Sequence, residues 1–428
     1  MKLFILLATA TTAAARCLPQ YAMCPDFLGA PTCSDNNTGP LGTSPTDFTI
    51  IGPALQAVHE SVQPPTGLAL DNDYNIYLTY PRNSGQTPSN VVIADNFTSE
   101  SPWPSASIQN CTAGQDVSTC FLNVQNVVLD SIGQMWIVDS GIPSSQMGSG
   151  DALPGGAKIM SFNTTTRQLI ATYPIPADLL ANGTNANDVR INNTLGTAGF
   201  AFITDESPYG SVLAGDLATN TWVKRLGNTT AVKADPKYVG SFDGAPLYAW
   251  NGTKKGYLTT GADGIALASG NMYWGALASR RFYYIPQSVL ADFSLSDAEV
   301  EDGVVDPGQL GSEQAGFTAD DNGRLYMLAS EQNAIYYVDT QQSQVTEEVN
   351  GIPPGGSGPA PPENYVVKSL VRSGLIQHAD SAAIMPDGYL YFCTNQLELR
   401  PANQYRNVDR RRGPFRSYRV YIGAGPAV

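Results

Sequence analysis

His378 and Asp380 stand two residues apart, and of all residues in the chain their types and spacing best suit catalysis. An imidazole beside a carboxylate can donate and accept protons near neutral pH, with the carboxylate orienting the ring. The chain contains two histidines, His59 and His378, so a zinc site built from three histidines is excluded. We treat His378 as a candidate general acid and Asp380 as its orienting partner. The alternative is that His378 has a structural role.

Other chemistry is not indicated by the motifs or the charge. No Gly-x-Ser-x-Gly nucleophile motif, phosphate-binding loop or dinucleotide fingerprint occurs in a strand-to-helix context. We therefore expect neither a covalent nucleophile nor a cofactor. The net charge of −14 argues against nucleic acid, which requires a basic surface. The expected partners are small apolar substrates, bound by a monomer that is not attached to a membrane.

The elements that must position these residues are repeats of one pattern. A β-rich run, a polar turn with Asp, Asn or Gly, and a second β-rich run with an aromatic residue recur, which is typical of β-hairpins. The copies occupy residues 67–78, 126–137, 188–204, 264–274, 316–327 and 381–392, the third being the weakest. Repeats at blade-sized intervals predict an all-β fold, a six-bladed β-propeller with four-stranded blades. We assign residues 16–428 to this single domain.

A propeller is usually closed by joining both chain ends in one blade, which leaves only short sheet edges. We expect the C-terminal run at residues 417–422 to be the closing strand. Its expected partner is the N-terminal run at residues 48–51.

The innermost strand of every propeller blade starts at the same mouth of the central channel. Polar residues at these starts are Thr66, Asn126, Asn187, Asp188, Asp263, Gln314, His378 and Asp380. We predict Asp263 as catalytic with His378 and Asp380, and the others, together with Tyr80, as substrate-binding residues. Converging polar groups in a concave site are the default indication of a binding site. The alternative is that they cap strands and bind channel water.

Three segments resemble the major royal jelly protein/yellow family. Residues 126–141, which include Met135 to Gly141, resemble its blade motif, and residues 263–286 and 386–397 resemble its fourth and last blades. The similarity covers most of residues 60–425 and implies the propeller fold. It leaves the function open, because the family is similar to pigment-pathway proteins, nutritive proteins and ligand binders alike.

Within that family, the glycosylated form with an N-terminal cysteine cluster resembles the secreted fungal hetero-Diels-Alderases of tropolone-sesquiterpenoid biosynthesis. This resemblance implies dehydration of a hydroxylated tropolone to an o-quinone methide, which then adds to a macrocyclic sesquiterpene alkene such as a humulene alcohol. A cycloaddition needs well-positioned partners rather than a nucleophile or metal. His378 would be the acid, and Asn126, Asn187 and Gln314 would bind oxygen atoms.

A second resemblance, to gluconolactonase-type propellers, implies a divalent metal held at the channel mouth by one Glu, two Asn and one Asp. Asn126, Asn187 and Asp263 match three of those places, but Thr66 stands near the place of the missing acid, and losing a charged ligand weakens Ca²⁺ binding. Metal-dependent lactone hydrolysis is therefore an alternative function. A non-catalytic small-molecule-binding protein is the other alternative.

The N-terminus predicts secretion. Met1 and Lys2 precede an apolar run and small residues that end at Ala15, which is typical of a signal peptide over residues 1–15. The N-glycosylation sequons agree with export, and they stand at Asn36, Asn96, Asn110, Asn163, Asn182, Asn192, Asn228 and Asn251.

The cysteines also suit an oxidising compartment. Cys111 and Cys120 are the expected disulfide pair. Cys17, Cys24 and Cys33 lie in the segment 16–45, and their pairing is left open. Cys393 lies in an apolar run and is expected to be a buried thiol.

Overall fold

A computed structural model describes residues 49–81, 89–112, 114–143, 151–181, 183–344, 348 and 355–427. The predicted signal peptide, the segment 16–45 with its three cysteines, and the sequons at Asn36 and Asn182 lie outside these residues.

The described residues form 28 strands. The first fourteen are β1 (Leu55–Ser61), β2 (Leu68–Leu70), β3 (Ile76–Thr79), β4 (Val91–Ala94), β5 (Glu100–Pro102), β6 (Val124–Leu129), β7 (Gln134–Asp139), β8 (Lys158–Asn163), β9 (Leu169–Pro174), β10 (Ala186–Asn192), β11 (Phe200–Asp205), β12 (Ser211–Asp216), β13 (Thr221–Arg225) and β14 (Gly240–Phe242).

The remaining strands are β15 (Ala245–Leu247), β16 (Ala249–Asn251), β17 (Lys254–Gly256), β18 (Ala262–Ala268), β19 (Asn271–Ala276), β20 (Arg281–Pro286), β21 (Val305–Gln309), β22 (Gln314–Ala319), β23 (Arg324–Ala329), β24 (Ala334–Asp339), β25 (Lys368–Arg372), β26 (Ala379–Ile384), β27 (Tyr389–Thr394) and β28 (Phe415–Tyr421). In the described part of the chain two short α-helices, α1 (Gln287–Ala291) and α2 (Asp297–Asp302), connect β20 to β21.

These strands form six antiparallel four-stranded blades, which confirms the predicted six-bladed β-propeller. Blades 1 to 5 are β2–β5, β6–β9, β10–β13, β18–β21 and β22–β25, and blade 6 has the order β1-β28-β27-β26. The hairpins β14–β15 and β16–β17 are inserted between blades 3 and 4. This insertion explains the wide spacing between the third and fourth repeats.

The closing strand is β28, but its N-terminal partner differs from the expected one. Strand β1 pairs with β28 from Leu55 opposite Val420 to Ser61 opposite Phe415. Ile51, from the expected run at residues 48–51, instead forms a single bridge to Arg372 in blade 5. The longer β1 offers more ladder hydrogen bonds, and its half-buried pattern suits an outer strand.

Burial follows the position of a strand in its blade. The inner strands β18 and β22 are buried along their whole length, because other blades flank both of their faces. The outer strand β9 is exposed or half-buried throughout. Large side chains fill the gaps between blades, such as Trp274 and Phe202, both fully buried. Each such side chain stabilises the fold by roughly 1.5–3 kcal/mol through burial of its apolar surface.

The repeated turn has a local physical cause. In blade 1, the Asp71 carboxylate accepts hydrogen bonds from the backbone N–H groups of Asp73 and Asn75 at 3.0 and 2.9 Å and from the Tyr77 hydroxyl at 2.7 Å. In blade 2, Asp130 accepts from the Trp136 indole N–H at 2.8 Å. In both hairpins the acidic residue of the turn is therefore hydrogen-bonded to the aromatic residue of the following strand.

The disulfide between Cys111 and Cys120 is present, as predicted, with sulfur atoms 2.04 Å apart. Cys393 is a free and fully buried thiol, also as predicted, and burial raises its pKa. In the described part of the chain, no helix combines the length and apolar character that crossing a bilayer requires.

The sequons in the described residues differ in accessibility. Those at Asn96, Asn110, Asn163, Asn228 and Asn251 have exposed side chains. Asn192 is half-buried, and its amide nitrogen donates to Gln287 at 2.6 Å. A glycan on Asn192 would have to fit beside that hydrogen bond, whereas the side chains at the other five positions are exposed.

We predict that Asp71→Ala lowers the free energy of unfolding by about 1–3 kcal/mol, because the buried Tyr77 hydroxyl loses its acceptor. Urea unfolding followed by tryptophan fluorescence measures this loss. Asp73→Ala is the matched control, since the Asp73 side chain is exposed. Equal stability of the two variants would contradict this account of the turn.

Candidate functional site

Most inner strands share an irregularity at the mouth of the channel. Their register with the second strand shifts near the start of β6, β10, β18, β22 and β26. A bulge re-aims side chains and often lies near functional sites. In β10 the consecutive residues Asn187 and Asp188 consequently reach different neighbouring blades.

The bulged residues form a hydrogen-bonded belt. The Asn187 amide donates to Asp263 of blade 4, and the Asn126 amide of blade 2 donates to Asp188. The Ser381 hydroxyl of blade 6 donates to the Asn126 carbonyl oxygen at 3.3 Å. The structure therefore brings together side chains from four blades. We call the group the mouth cluster, and it consists of Asn126, Asn187, Asp188, Glu206, Asp263, His378, Asp380, Asn395 and Arg400.

Burial gives two acids of the mouth cluster pKa values near neutrality. Burial raises the pKa of Asp188 to about 7, although the Arg190 guanidinium opposes the rise. Burial likewise raises the pKa of Glu206 to about 7, against the opposing charge of Arg400. A buried carboxylate is poorly solvated, so the neutral acid is favoured. Both groups can therefore hold a proton at neutral pH.

The pKa values of the other two acids of the mouth cluster, Asp263 and Asp380, are also raised. Burial and the neighbouring Glu206 carboxyl raise the pKa of Asp263 well above its ordinary value. Burial raises the pKa of Asp380 to about 6, while the His378 imidazolium lowers it. Four carboxyl groups share one mouth, and each disfavours ionisation of the others. The mouth cluster is therefore rich in exchangeable protons.

His378 is held between two carboxyl groups. Its Nδ1 lies 2.7 Å from Glu398 Oε1, and its Nε2 lies 4.0 Å from Asp380 Oδ2. Burial lowers the pKa of His378, but Glu398 and Asp380 more than offset this effect and raise it to about 9. The imidazole is therefore charged at neutral pH. The orienting partner is Glu398, and the predicted partner Asp380 lies beyond hydrogen-bond distance.

A small cavity lies beside this pair. It has a volume of about 20 Å³ and is lined by Glu313, His378, Glu398 and Arg400, among others. This volume is sufficient for about one water molecule. Within the described residues, His378 Nε2, Glu398 Oε2 and Glu313 Oε2 are buried without a hydrogen-bond partner. Burial raises the pKa of Glu313 to about 8, so it too is a proton donor near neutrality.

Glu313, His378 and Glu398 form the one group among the described residues that could hold a metal ion. Each offers one ligand atom, and these three atoms lie within 4.8 Å of one another. A nitrogen and two carboxylates are donors that a transition-metal ion accepts. The hydrogen bond between His378 and Glu398 already uses one atom of each. A metal there would have to replace that bond or use Nε2 of His378.

Two predicted substrate-binding residues are engaged in contacts between blades. The Thr66 hydroxyl donates to the backbone carbonyl oxygen of Gln125 at 2.8 Å, which ties blade 1 to blade 2. The Gln314 side chain is fully buried, and its amide donates to the carbonyl oxygen of Arg281 in blade 4 at 3.0 Å. Gln314 precedes the bulge of its strand, so its side chain enters the gap between blades.

Tyr80 also lies outside the mouth cluster. It is 2 % exposed, and its hydroxyl donates at 2.5 Å to Glu100 of the outer strand β5. His59 of β1 contacts the same carboxylate oxygen at 2.8 Å. Tyr80 and His59 therefore join the outer parts of blades 1 and 6.

Sequence reasoning missed Glu206, Asn395, Glu398 and Arg400. Glu206 directly follows β11, and the other three follow β27. The second strand of each blade returns to the mouth at which the first strand begins, so residues after second strands belong to the same ring. That signal is present in the repeats, beside the starts of the first strands.

The inserted hairpins cover part of the mouth. Trp250 of β16 packs edge-on against Tyr405 with ring centres 5.1 Å apart, and the Arg406 N–H donates to the Gly252 carbonyl oxygen at 2.8 Å. Leu258, which follows β17, and Leu397 line the small cavity beside His378. The charged mouth cluster thus lies under a partly apolar cap.

Comparisons with known proteins agree with the fold. The family model described as major royal jelly protein matches residues 122–356, more than half of the chain. Among proteins with curated descriptions, none matches the sequence.

Solved propeller structures are similar at low identity. A luciferin-regenerating enzyme is 12 % identical with a TM-score of 0.46, and the match covers 88 % of this chain and 99 % of that chain. A gluconolactonase from Xanthomonas campestris is 10 % identical with a TM-score of 0.45, covering 89 % and 99 %. Virginiamycin B lyase from Staphylococcus aureus is 10 % identical with a TM-score of 0.42, covering 88 % and 100 %.

We predict that Glu398→Gln lowers the pKa of His378 from about 9 toward its ordinary value near 6.5, because the imidazolium loses its closest counter-charge. NMR titration of the two histidine signals measures the shift, with His59→Asn assigning them. In the wild type, ionisation of His378 stabilises the fold below about pH 6.5. This contribution is lost as the pH rises through about 9. An unchanged titration in Glu398→Gln would contradict the pairing.

Proposed function

The chain belongs to the major royal jelly protein family, whose members share a fold but not a function, so we propose its activity from the site together with the sequence resemblance. We propose that it is a secreted, cofactor-independent enzyme that acts on small apolar substrates. Its reaction is a hetero-Diels-Alder cycloaddition between a tropolone o-quinone methide and a macrocyclic sesquiterpene alkene. The sequence resemblance to fungal hetero-Diels-Alderases supplies this substrate class.

One observation carries the proposal. The mouth cluster places several proton-holding carboxyl groups next to the charged His378 and Arg400, under a partly apolar cap. Loss of water from a hydroxylated tropolone needs an acid for the departing hydroxyl and a base for the ring hydroxyl. Acids and bases that are poised near neutral pH are the groups that such a step requires.

The first step is the dehydration. Through the one water molecule that the small cavity can hold, His378 donates a proton to the departing hydroxymethyl oxygen, the carbon–oxygen bond breaks, and water leaves. The Asp380 carboxylate accepts the proton of the ring hydroxyl, so the o-quinone methide forms without a net change in charge. Glu398 keeps the imidazole ring in place through the 2.7 Å hydrogen bond to Nδ1. The amides of Asn126 and Asn187 are the donors for the tropolone oxygens.

The second step requires that the two reactants be held in the correct relative position, and it requires no further proton transfer. One carbon–carbon bond and one carbon–oxygen bond form as the oxadiene adds to the alkene. Holding both partners in reactive geometry lowers the barrier by roughly 7–11 kcal/mol in favourable cases. Trp250 and Tyr405 of the cap offer half-buried and exposed aromatic surface that suits a macrocyclic hydrocarbon. Arg400 would stabilise negative charge on the oxygen that attacks.

We predict that purified protein, given a quinone-methide precursor and a humulene-type alcohol, accelerates adduct formation and yields one enantiomer. Chiral chromatography of the product, with and without EDTA, measures both rate and selectivity. The expected activity is unaffected by the chelator. Formation of racemic adduct at the background rate would overturn the proposed reaction.

The assignment of His378 has its own test. His378→Asn should lower kcat by roughly 10²–10⁴, the usual contribution of a general acid. His59→Asn is the matched control and should retain activity, since His59 lies between outer strands. An unchanged kcat in His378→Asn would remove this residue from the mechanism.

The pH profile distinguishes the acids. If Asp380 is the base and His378 the acid, kcat rises with pH through about 6 and falls through about 9. A fall centred near pH 7 would instead assign the acid role to Asp188 or Glu206, whose pKa values are raised to about 7. Steady-state kinetics in overlapping buffers provide the profile.

Metal-dependent lactone hydrolysis is the second candidate. Asn126, Asn187 and Asp263 all belong to the mouth cluster, and their oxygen atoms are the type that Ca²⁺ prefers. Thr66 supplies no charge there, and its hydroxyl is bonded to a backbone carbonyl. Lactone hydrolysis that disappears with EDTA and returns with Ca²⁺ would favour this function. Saturable ligand binding without turnover would favour a non-catalytic binding protein.

A further inference from the structure

The channel continues beyond the mouth cluster into a chamber of different chemistry. The strand register places one residue of each inner strand at a common level, two residues beyond Asp188 and its equivalents. Five of these residues are small or β-branched, and one is arginine. They are Ala69, Val128, Arg190, Ala266, Thr318 and Ala383. Small side chains on five sides leave open space around the one long cation.

The open space is a cavity of about 340 Å³, which all six of these residues line. Its walls are further formed by apolar residues such as Leu70, Leu267 and Met385. A volume of this size lies within the range of small-molecule sites, roughly 300–1,000 Å³. The C-terminal residues Pro426 and Ala427 line the cavity as well, and the Ala427 N–H donates to the Ala319 carbonyl oxygen at 3.0 Å.

The innermost residues of the mouth cluster, one level before the chamber, close the chamber off from the small cavity beside His378. Asn126 is bonded both to Asp188 and to Ser381, so one amide links three blades across the axis. Gly264 lets its strand approach the next blade, since a Cβ atom there would lie 2.7 Å from the Gly316 Cα atom. The two spaces are thus divided by a layer of side chains and closely packed backbone.

Arg190 is the polar anchor of the chamber. Its side chain crosses from blade 3 to blade 5, where Nη2 donates to the Phe317 carbonyl oxygen at 2.8 Å, and Nη1 donates to the Val189 carbonyl oxygen at 2.8 Å. A guanidinium carries five N–H donors, so these bonds leave donors for a ligand. The charge is only partly balanced, because burial raises the pKa of the nearby Asp188 to about 7, so this acid is about half protonated at neutral pH.

The chamber presents little free negative charge to a cationic ligand. The acid that lines it is Asp130, whose Oδ1 accepts from the backbone N–H groups of Ile132 and Gln134 at 3.0 and 2.8 Å. Its Oδ2 accepts from the Trp136 indole N–H at 2.8 Å. These bonds hold the carboxylate to its own turn, so the ligand-directed charge in the chamber is that of Arg190.

We propose that this chamber is a second binding site, which takes an apolar small molecule carrying one carboxylate, with the carboxylate on Arg190. A planar carboxylate matches the fork of a guanidinium and forms paired charge-assisted hydrogen bonds. The apolar part of the ligand lies against the aliphatic walls. This site is separate from the mouth cluster and does not depend on the proposed cycloaddition.

Three fluorescent probes of one shape test the proposal, namely 2-naphthoate, the neutral 2-naphthamide and the cationic 2-naphthylmethylammonium. Equilibrium titration of the full chain should show that naphthoate binds most tightly, the amide less tightly and the amine least tightly. Arg190→Met should weaken naphthoate binding at least tenfold and leave amide binding unchanged, because the wall is kept and the charge removed. Arg419→Met in β28, whose side chain does not line the cavity, is the matched control and should bind naphthoate as the wild type does.

Two further variants test whether the ligand binds in the chamber. Ala383→Leu should weaken binding of both naphthoate and amide at least tenfold, since the added atoms take up part of the cavity of about 340 Å³. His378→Asn should not change naphthoate binding, because His378 belongs to the other compartment. Equal naphthoate affinity in Arg190→Met and wild type, tighter binding of the amine, or loss of binding in His378→Asn would each overturn the proposal. If Arg190→Met does not fold, the relative affinities of the three probes for the wild type test the preference for a carboxylate, and unchanged binding in Ala383→Leu would overturn the placement of the site.

Discussion

Strand β1 is the outer strand of a blade whose other three strands come from the far end of the chain. The ladder from Leu55 opposite Val420 to Ser61 opposite Phe415 holds blade 6 against blade 1 and so closes the ring. Because the ring is closed, inner strands that are distant in sequence face one another across a narrow axis. The bond between Ser381 and Asn126 exists only through this closure. The burial of every acid at the mouth depends on it as well.

Closure has an electrostatic consequence. The acids of the mouth cluster are removed from water, and the nearby cations His378 and Arg400 are fewer than the carboxyl groups around them. The system responds by retaining protons, which is the usual response of crowded buried acids. The proton content of the site is therefore set by packing rather than by any single residue type. This is why acids such as Asp188 and Glu206 can act as proton donors at neutral pH.

The two parts of the channel differ in free volume as well as in charge. Near the mouth, polar side chains of four blades are hydrogen-bonded to one another, and a cavity of about 20 Å³ lies beside His378 and Glu398. Further along, alanine, valine and threonine on five strands leave about 340 Å³ around Arg190. One strand, β10, supplies both Asp188 to the mouth and Arg190 to the chamber. A ligand in the chamber would therefore contact the same strand that carries an acid of the mouth cluster.

The sequence by itself determined the blades, because a turn acid such as Asp71 and the aromatic residue six positions later bond within one hairpin. It also placed Asp263 and His378 at one mouth, since inner strands start there. Only the tertiary structure decided which side chains meet. A bulge of one residue changes the direction of a side chain, so Gln314 points between blades. The partner of His378 is Glu398, twenty residues away, because a returning strand and loop bring that carboxylate to the imidazole.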